Sequence, residues 1–346
     1  MITETALQIG ISTTSEVIRR EQAISYIKDR FNRELSGNLN LVNVSAPFIV
    51  EDGTGINDDL NGVENPVSFE VKGIRGKGFS VVQSLAKWKR MRLKELDTEP
   101  GTGILTDMRA LRPDEELSPI HSVYVDQWDW EKHILPGQRN LGYLKSTVEA
   151  IYKALKSTEA ELCRLYPDLK PVLPDKIHFI HAEELLKQYP ELLPKQRESM
   201  IAREYGAVFI IGIGAPLSNG KPHDGRAPDY DDWSTLNDDG YTGLNGDIIL
   251  WYPVLQTAFE ISSMGIRVSS ESLERQLEIK ECTERKNLMF HRLMLNNELP
   301  PCIGGGIGQS RVCMFLLKRT HIGEVQSAIW PDSTRRKSAL QGIKLL

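Results

Sequence analysis

The stretch GGGIGQSR, residues 304–311, gives up its side chains at four of its first five positions, then sets Arg311 ahead of an apolar run, VCMFLL. On a strand, Gly304, Gly306 and Gly308 share one face. Bare main chain there lets a flat group lie against the backbone. An arginine near the start of the following helix would offer a permanent, forked positive charge to a phosphate oxygen. A nucleotide suits that layout, with its base in a slot along 304–308 and its phosphates toward Arg311. A glycine-rich turn with a surface arginine reads the same way in isolation, so the rest of the chain must decide. A dinucleotide-binding βαβ unit fits poorly. The order is glycine strand then helix without GxGxxG spacing, and the other candidate, GIGAPL at 212–217, has Pro216 and Leu217 where the third glycine belongs.

Working outward, VYVDQWDWE (123–131) alternates strictly. Val123, Val125, Gln127, Asp129 and Glu131 fall on one face, and Tyr124, Asp126, Trp128 and Trp130 on the other. One face turns from apolar to amide and carboxylate while its opposite keeps packing with tryptophans; a solvated strand end would share the pattern. Just upstream, MRALRPDEELSP carries Arg109 and Arg112 beside a turn, so a strand-turn-strand hairpin would bring an arginine to those carboxylates.

Composition bounds the rest. The 346 residues are 40% hydrophobic and 26% charged with a formal net charge of −5, an ordinary globular balance that argues against a strongly basic nucleic-acid binder. Cys163, Cys282, Cys302 and Cys313 are far apart and read as reduced thiols, with no disulfide framework or zinc spacing. The N-terminus lacks a basic region followed by an apolar core, and the longest apolar run, 207–217, is too short to span a bilayer, so the expected compartment is cytoplasmic. Thr13 and Glu16 form a candidate capping box for an amphipathic helix carrying Val17, Ile24, Ile27, Phe31 and Leu35 until Gly37. Pro47 interrupts the next strand pattern and confines it to an edge, a bulge or an interface. Helices are predicted at 84–94, 141–165 and 310–320, strands at 123–131, 207–213, 248–252 and 259–268, and a long functional loop at 218–247.

These residues carry a resemblance. GGGIGQSR is similar to the GxGxGxxR of class II aminoacyl-tRNA synthetases, the hairpin from LRPDEE to DQWDWE resembles their second motif, and Pro47 after a long helix resembles the first. SLAKWK (84–89), LRPDEELSPIHSVYVDQWDWE (111–131), RAPDYDDW (226–233), LNGDIILW (244–251), FEISSMGIR (259–267) and GGGIGQSR together resemble the ammonia-dependent asparagine synthetases, or aspartate-ammonia ligases. Their core is similar to that of aspartyl-tRNA synthetase. The resemblance implies an α/β (α+β) fold, a mostly antiparallel sheet flanked by helices, as a single catalytic domain over 1–346 with inserted helices around 141–205. It implies a homodimer through the Pro47 segment.

The implied chemistry joins the side-chain carboxylate of aspartate to ATP, releases pyrophosphate, and lets ammonia displace AMP from the β-aspartyl-adenylate to give asparagine. By the family pattern Arg112 holds the α-phosphate, Arg311 the γ-phosphate, and Gly306, Gly308 and Ser263 help to bind ATP. Asp247 and Glu260 would support Mg²⁺, which takes oxygen ligands shared with substrate phosphates. Lys89 and Arg267 would grip the α-carboxylate of aspartate, with Ser84, Gln127, Asp129 and Asp231 completing the pocket. Asp58 is assigned to binding ammonium and accepting its proton.

Rival readings are weighed beside these. Lys87, Lys89, Arg90, Arg92 and Lys94 could form a nucleic-acid patch, but solvated charge explains most of them more simply, and of the five only Lys89 is kept as a site residue. The acidic segments PDYDDW (228–233) and NDDGYTGLNGD (237–247) lack EF-hand ligand positions with a final Glu, and HFIH (178–181) has no further ligand nearby to bind metal. Plain alternation sets Glu260 opposite Ser263 and Arg267, so either a bulge near Ser262 re-aims the strand or one of the three faces away. The main alternative function is an aspartyl-tRNA synthetase paralogue that aminoacylates or binds RNA. Against it stand the acidic balance and the lack of room before the catalytic motifs for an anticodon-binding barrel. The glutamine-dependent route needs an N-terminal cysteine, whereas Met1 is followed by Ile2. Expected partners are small molecules, with neither nucleic acid nor membrane.

Overall fold

A computed structural model describes residues 16–58, 60 and 64–346. Thr13, the cap expected for the first helix, lies outside them. The helix itself, α1 (Glu16–Leu39), buries Ile27, Phe31 and Leu35 and runs on through Gly37. After it, Pro47 divides the chain between two sheets. β1 (Leu41–Asn43) joins the large one, whereas β2 (Ile49–Glu51) pairs with β4 (Ile74–Val81), which also pairs with β3 (Ser68–Val71).

The large sheet has eight strands in the order β1-β5-β6-β11-β10-β9-β8-β7. Its further members are β5 (Gly103–Leu111), β6 (Tyr124–His133), β7 (His178–His181), β8 (Ala207–Ile211), β9 (Asn245–Tyr252), β10 (Thr257–Ile266) and β11 (Cys302–Gly308). The two terminal pairings, β1 with β5 and β7 with β8, are parallel, and every pairing between them is antiparallel. The expected mostly antiparallel sheet flanked by helices is therefore what forms.

Alternation along β6 sorts the layers. Trp128 and Trp130 enter the main core with α1 and α3 (Leu141–Leu165), and the rings of Phe31 and Trp128 lie 4.5 Å apart. Burying aromatic surface of this size contributes about 2–3 kcal/mol per side chain. Beyond α3 come β7, α4 (Ala182–Gln188) and α5 (Pro194–Tyr205), the two helices packing Leu185 and Ile201 with Val208 of β8 at the far edge of the sheet. The other face of β6, carrying Gln127, Asp129 and Glu131, looks toward α2 (Ala86–Glu95), whose Lys89 reaches Asp129. A separate small core joins α6 (Ser270–Ile279) to α7 (Met289–Leu295).

Three local differences from the sequence reading have physical causes. The helix expected at 310–320 is α8 (Gln309–Leu316), because Lys318 adopts a left-handed conformation, φ 55°, that stops it. The hairpin β3-β4 escaped detection because its residues are mostly exposed and interspersed with glycine, which blurs alternation. Lys87 and Arg90 are not solvated: Arg90 donates to the Pro300 and Val268 carbonyls at 3.0 and 2.7 Å, and Lys87 reaches Asp229 at 3.1 Å. Neither is therefore an exposed cation for the nucleic-acid patch weighed as a rival reading, nor the solvated charge expected instead.

Candidate active site

On the polar face of the sheet, between α2, the loop 212–244 and the turn that follows β5, lies a cleft of about 420 Å³, within the range of small-molecule sites. Every site candidate from the sequence lines it: Asp58, Ser84, Lys89, Arg112, Gln127, Asp129, Asp231, Asp247, Glu260, Ser263, Arg267, Gly306, Gly308 and Arg311. Arg109 does not, being exposed and paired with Asp107 at 3.3 Å.

The glycine strand explains part of the crowding. A Cβ at Gly304 would sit 2.0 Å from Glu131 Oε2, and one at Gly306 would sit 2.3 Å from Gln127 Oε1 and 2.8 Å from Asp129 Oδ1. The polar side chains of the adjacent strand lean across the bare backbone. This corrects the expectation of a nucleotide slot along the whole of 304–308: the space over Gly304 belongs to Glu131 and Arg267, Gln127 and Asp129 lean over Gly306, and Gly305, Gly306 and Gly308 line the cleft.

At the buried end, Arg267 donates from Nε to Glu131 Oε1 at 2.8 Å and from Nη2 to Oε2 at 2.7 Å, and its Nη1 donates to Asp231. Burial by itself would raise the Glu131 carboxyl, but Arg267 and Lys89 outweigh it and hold it below the usual carboxylate range. Lys89 Nζ donates to Asp129 Oδ1 at 2.9 Å and to the Gly305 carbonyl at 3.0 Å. The second oxygen of Asp129, Oδ2, is buried without a hydrogen-bond partner, an acceptor waiting for a donor.

At the other end a β-bulge decides the geometry. The β9-β10 register shifts between Glu260 and Ser262, leaving Ile261 as the extra residue. Glu260 is thereby turned to the side of Ser263, whose hydroxyl lies 3.2 Å from Glu260 Oε1 and 2.7 Å from Asp247 Oδ1. Two carboxylates so close disfavour joint ionisation. Burial pushes Asp247 up to about 6 despite the Arg226 guanidinium at 2.5 Å, whereas Arg311, Lys195 and Arg226 overcome burial at Glu260 and lower it. The donor set fits a hard divalent cation, which would take oxygens from Asp247 and Glu260 and keep further positions for phosphate.

Arg112 and Arg311 guard this end. Arg112 donates from Nη2 to the Gln83 carbonyl at 3.2 Å, leaving its buried Nε without a partner. Arg311 donates from Nη1 to the Glu260 carbonyl at 2.8 Å and packs its stem against Gly308. Ser84 accepts from the Ala86 amide at 3.2 Å at the start of α2. Asp58 accepts from the Leu60 amide at 3.1 Å and is buried at the cleft wall.

The sequence reading missed Arg226, which spans Asp247 and Asp231, and His121, whose Nδ1 lies 2.8 Å from the Ser118 hydroxyl. Both stand inside quoted motifs, but nothing local marks which charged residue of RAPDYDDW turns inward. Burial, then the nearby Arg311 charge, lowers His121 to about 4.

The comparisons with known proteins decide the family. The aspartate-ammonia ligase family model matches residues 18–342. The chain belongs to the aspartate-ammonia ligase family. Among its relatives, the aspartate-ammonia ligase of Parabacteroides distasonis is 51% identical over 337 residues, covering 97% of this chain and 98% of that one. The Bacteroides thetaiotaomicron enzyme of the same name is 53% identical over 326 residues, 94% of each. Among solved structures, asparaginyl-tRNA synthetase from Pyrococcus horikoshii in complex with asparaginyl-adenylate aligns with a TM-score of 0.65 at 15% identity, covering 90% of this chain and 70% of that one. That from Entamoeba histolytica aligns at 0.64 and 13%, covering 90% and 67%. At such identities the likeness concerns the fold alone, which is that of the class II synthetases. Among the described residues, no helix is long and apolar enough to cross a membrane.

Proposed function

We propose that the chain makes L-asparagine from L-aspartate, ATP and ammonia, passing through a β-aspartyl-adenylate and releasing AMP and pyrophosphate. Family membership supports this reading over an RNA-aminoacylating paralogue. The observation that carries the chemistry is that one cleft joins a carboxylate-rich, Lys89- and Arg267-bearing end to an end guarded by Arg112 and Arg311.

Aspartate enters the buried end. Its α-carboxylate meets Lys89 and Arg267, its ammonium meets the unpartnered oxygen of Asp129, with Gln127, Ser84 and Asp231 around it, and its side-chain carboxylate points toward ATP. Arg267 already serves Glu131 and Asp231, so it acts as a rigid wall charge with a fixed plane. A carboxylate oxygen is a poor leaving group; its attack on the α-phosphorus of ATP breaks the bond to pyrophosphate and leaves the acyl group on AMP, which is a good one. Attack on the α-phosphorus builds charge that Arg112 neutralises, while Arg311 holds the γ-phosphate and Ser263, Gly306 and Gly308 line the nucleotide path. Mg²⁺, when bound at Asp247 and Glu260, would neutralise the departing pyrophosphate. Asp58 takes a proton from ammonium, and the free ammonia attacks the acyl carbon, whose bond to the AMP oxygen breaks as AMP leaves and the new C–N bond loses a proton to give the amide.

Further parts of the reading are a single catalytic domain, a cytoplasmic location, independence of nucleic acid, and a homodimer. The exposed Val42, Phe48 and Ile49 around Pro47 support the last, since such apolar surface favours a partner. Incubation with aspartate, MgATP and ammonium without RNA should yield asparagine, AMP and pyrophosphate in equal amounts. Absence of asparagine, or a strict need for glutamine, would overturn the reading.

A further inference from the structure

Gln326 follows the short helical turn Ile322–Glu324, is 5% exposed, and lines the cleft at the end where the glycine strand runs into α8. Its Nε2 donates to the Ser310 hydroxyl at 3.1 Å. Ser310 is itself fixed: its amide donates to Asp126 Oδ1 at 3.0 Å, and Lys28 Nζ donates to Asp126 Oδ2 at 2.8 Å. One end of the Gln326 amide is thus anchored to buried structure, and Oε1 is the end left over. Among the described residues no donor reaches Oε1, which is buried. A buried acceptor without a hydrogen costs stability unless a ligand supplies one.

The surroundings define the group that could supply it. Ile120 and Ile322 line the same cleft, and their segments are joined by the Ile322 amide, which donates to the Pro119 carbonyl at 2.7 Å. Gly308, on the nucleotide path, precedes Ser310 by two residues. Apolar walls suit the faces of a flat aromatic ring, and a single oriented acceptor suits a hydrogen on its edge. Adenine carries an amino group, a donor, at the position where guanine and hypoxanthine carry an oxygen, an acceptor. Oε1 gains a hydrogen bond from the first and meets a lone pair of the second.

We infer that Gln326 selects the nucleotide by its base: Oε1 accepts an N–H bond from the 6-amino group of adenine, so that ATP is used in preference to purine triphosphates that lack this group. The inference rests on the ligase reading, which makes ATP a substrate, and adds to it the side chain that reads the base.

The test compares steady-state asparagine formation by the full chain with ATP, with inosine triphosphate, and with purine riboside triphosphate, which carries only hydrogen at the 6-position. The wild-type kcat/KM should be at least about tenfold higher for ATP than for either analogue, the scale of leaving one buried acceptor unmet. Equal values overturn the inference. Gln326→Met keeps the length of the side chain and removes both polar atoms. It should lower kcat/KM for ATP by about tenfold or more and leave that for purine riboside triphosphate within about threefold, so that the preference collapses. A variant that slows all three nucleotides by the same factor would give Gln326 a packing role and overturn the inference. Should the variant misfold, dissociation constants of the wild-type protein for ATP and purine riboside triphosphate decide: binding of ATP about tenfold tighter or more is expected, and equal affinity overturns the inference. Failure of the ligase reading looks different, because the wild-type protein would then form no asparagine with any of the three nucleotides.

Discussion

Glu131 grips Arg267 through both of its carboxylate oxygens, at 2.8 and 2.7 Å, across 136 residues of sequence and with both side chains buried. The pair fixes the plane of the guanidinium that forms the wall of the aspartate end, and it fills the space that Gly304 leaves open.

Removing one partner of such a pair leaves an uncompensated buried charge. Glu131→Gln should lower unfolding stability by about 3 kcal/mol, measured by denaturant titration. It should also raise the KM for aspartate, because Arg267 loses its bidentate anchor. A variant with wild-type stability and an unchanged aspartate KM would show that the pair does neither.

Arg112→Ala and Arg311→Ala should each lose about a hundredfold or more in aspartate-dependent pyrophosphate exchange, the scale of removing one transition-state charge contact. Near-normal exchange in both would refute the phosphate assignments.

Asp58→Asn keeps the size of the side chain and removes its basicity. Exchange with aspartate should survive while asparagine formation falls, since the proton acceptor for ammonium is lost. Equal loss of both would move Asp58 into the adenylation step.

His121 gives a pH prediction. Its folded value near 4 lies below the ordinary 6.5, so between those two pH values the unfolded chain binds more protons than the folded one. Stability is therefore fully present above about pH 6.5 and declines as pH falls toward 4. His121→Asn should flatten that part of a Tm-versus-pH curve, and an unchanged slope would disprove the account.

Phe48→Asp places a charge on the exposed apolar surface beside Pro47. Sedimentation should show the wild-type chain as a dimer at micromolar concentration and the variant shifted to monomer. A monomeric wild type would remove the dimer from the proposal.

Much of this was legible in the sequence. Trp128 and Trp130 opposite Gln127 and Asp129, the helix spanning 141–165, and the glycine strand running into Arg311 all depend on periods of two or 3.6 residues, which neighbours a few positions away establish. Even the bulge that lets Glu260 join Ser263 announced itself as a conflict between alternation and shared chemistry. What alternation could not supply was the choice of distant partners. That Arg226 turns to Asp247, that Lys87 and Arg90 of an apparently solvated helix point inward, and that Gly304 makes room for Glu131 are settled only when β6, β9, β10 and β11 lie side by side. Local pattern is written in the chain because backbone geometry is local, whereas the pairing of buried charges is decided by which groups are deprived of water together, and tertiary structure alone determines that.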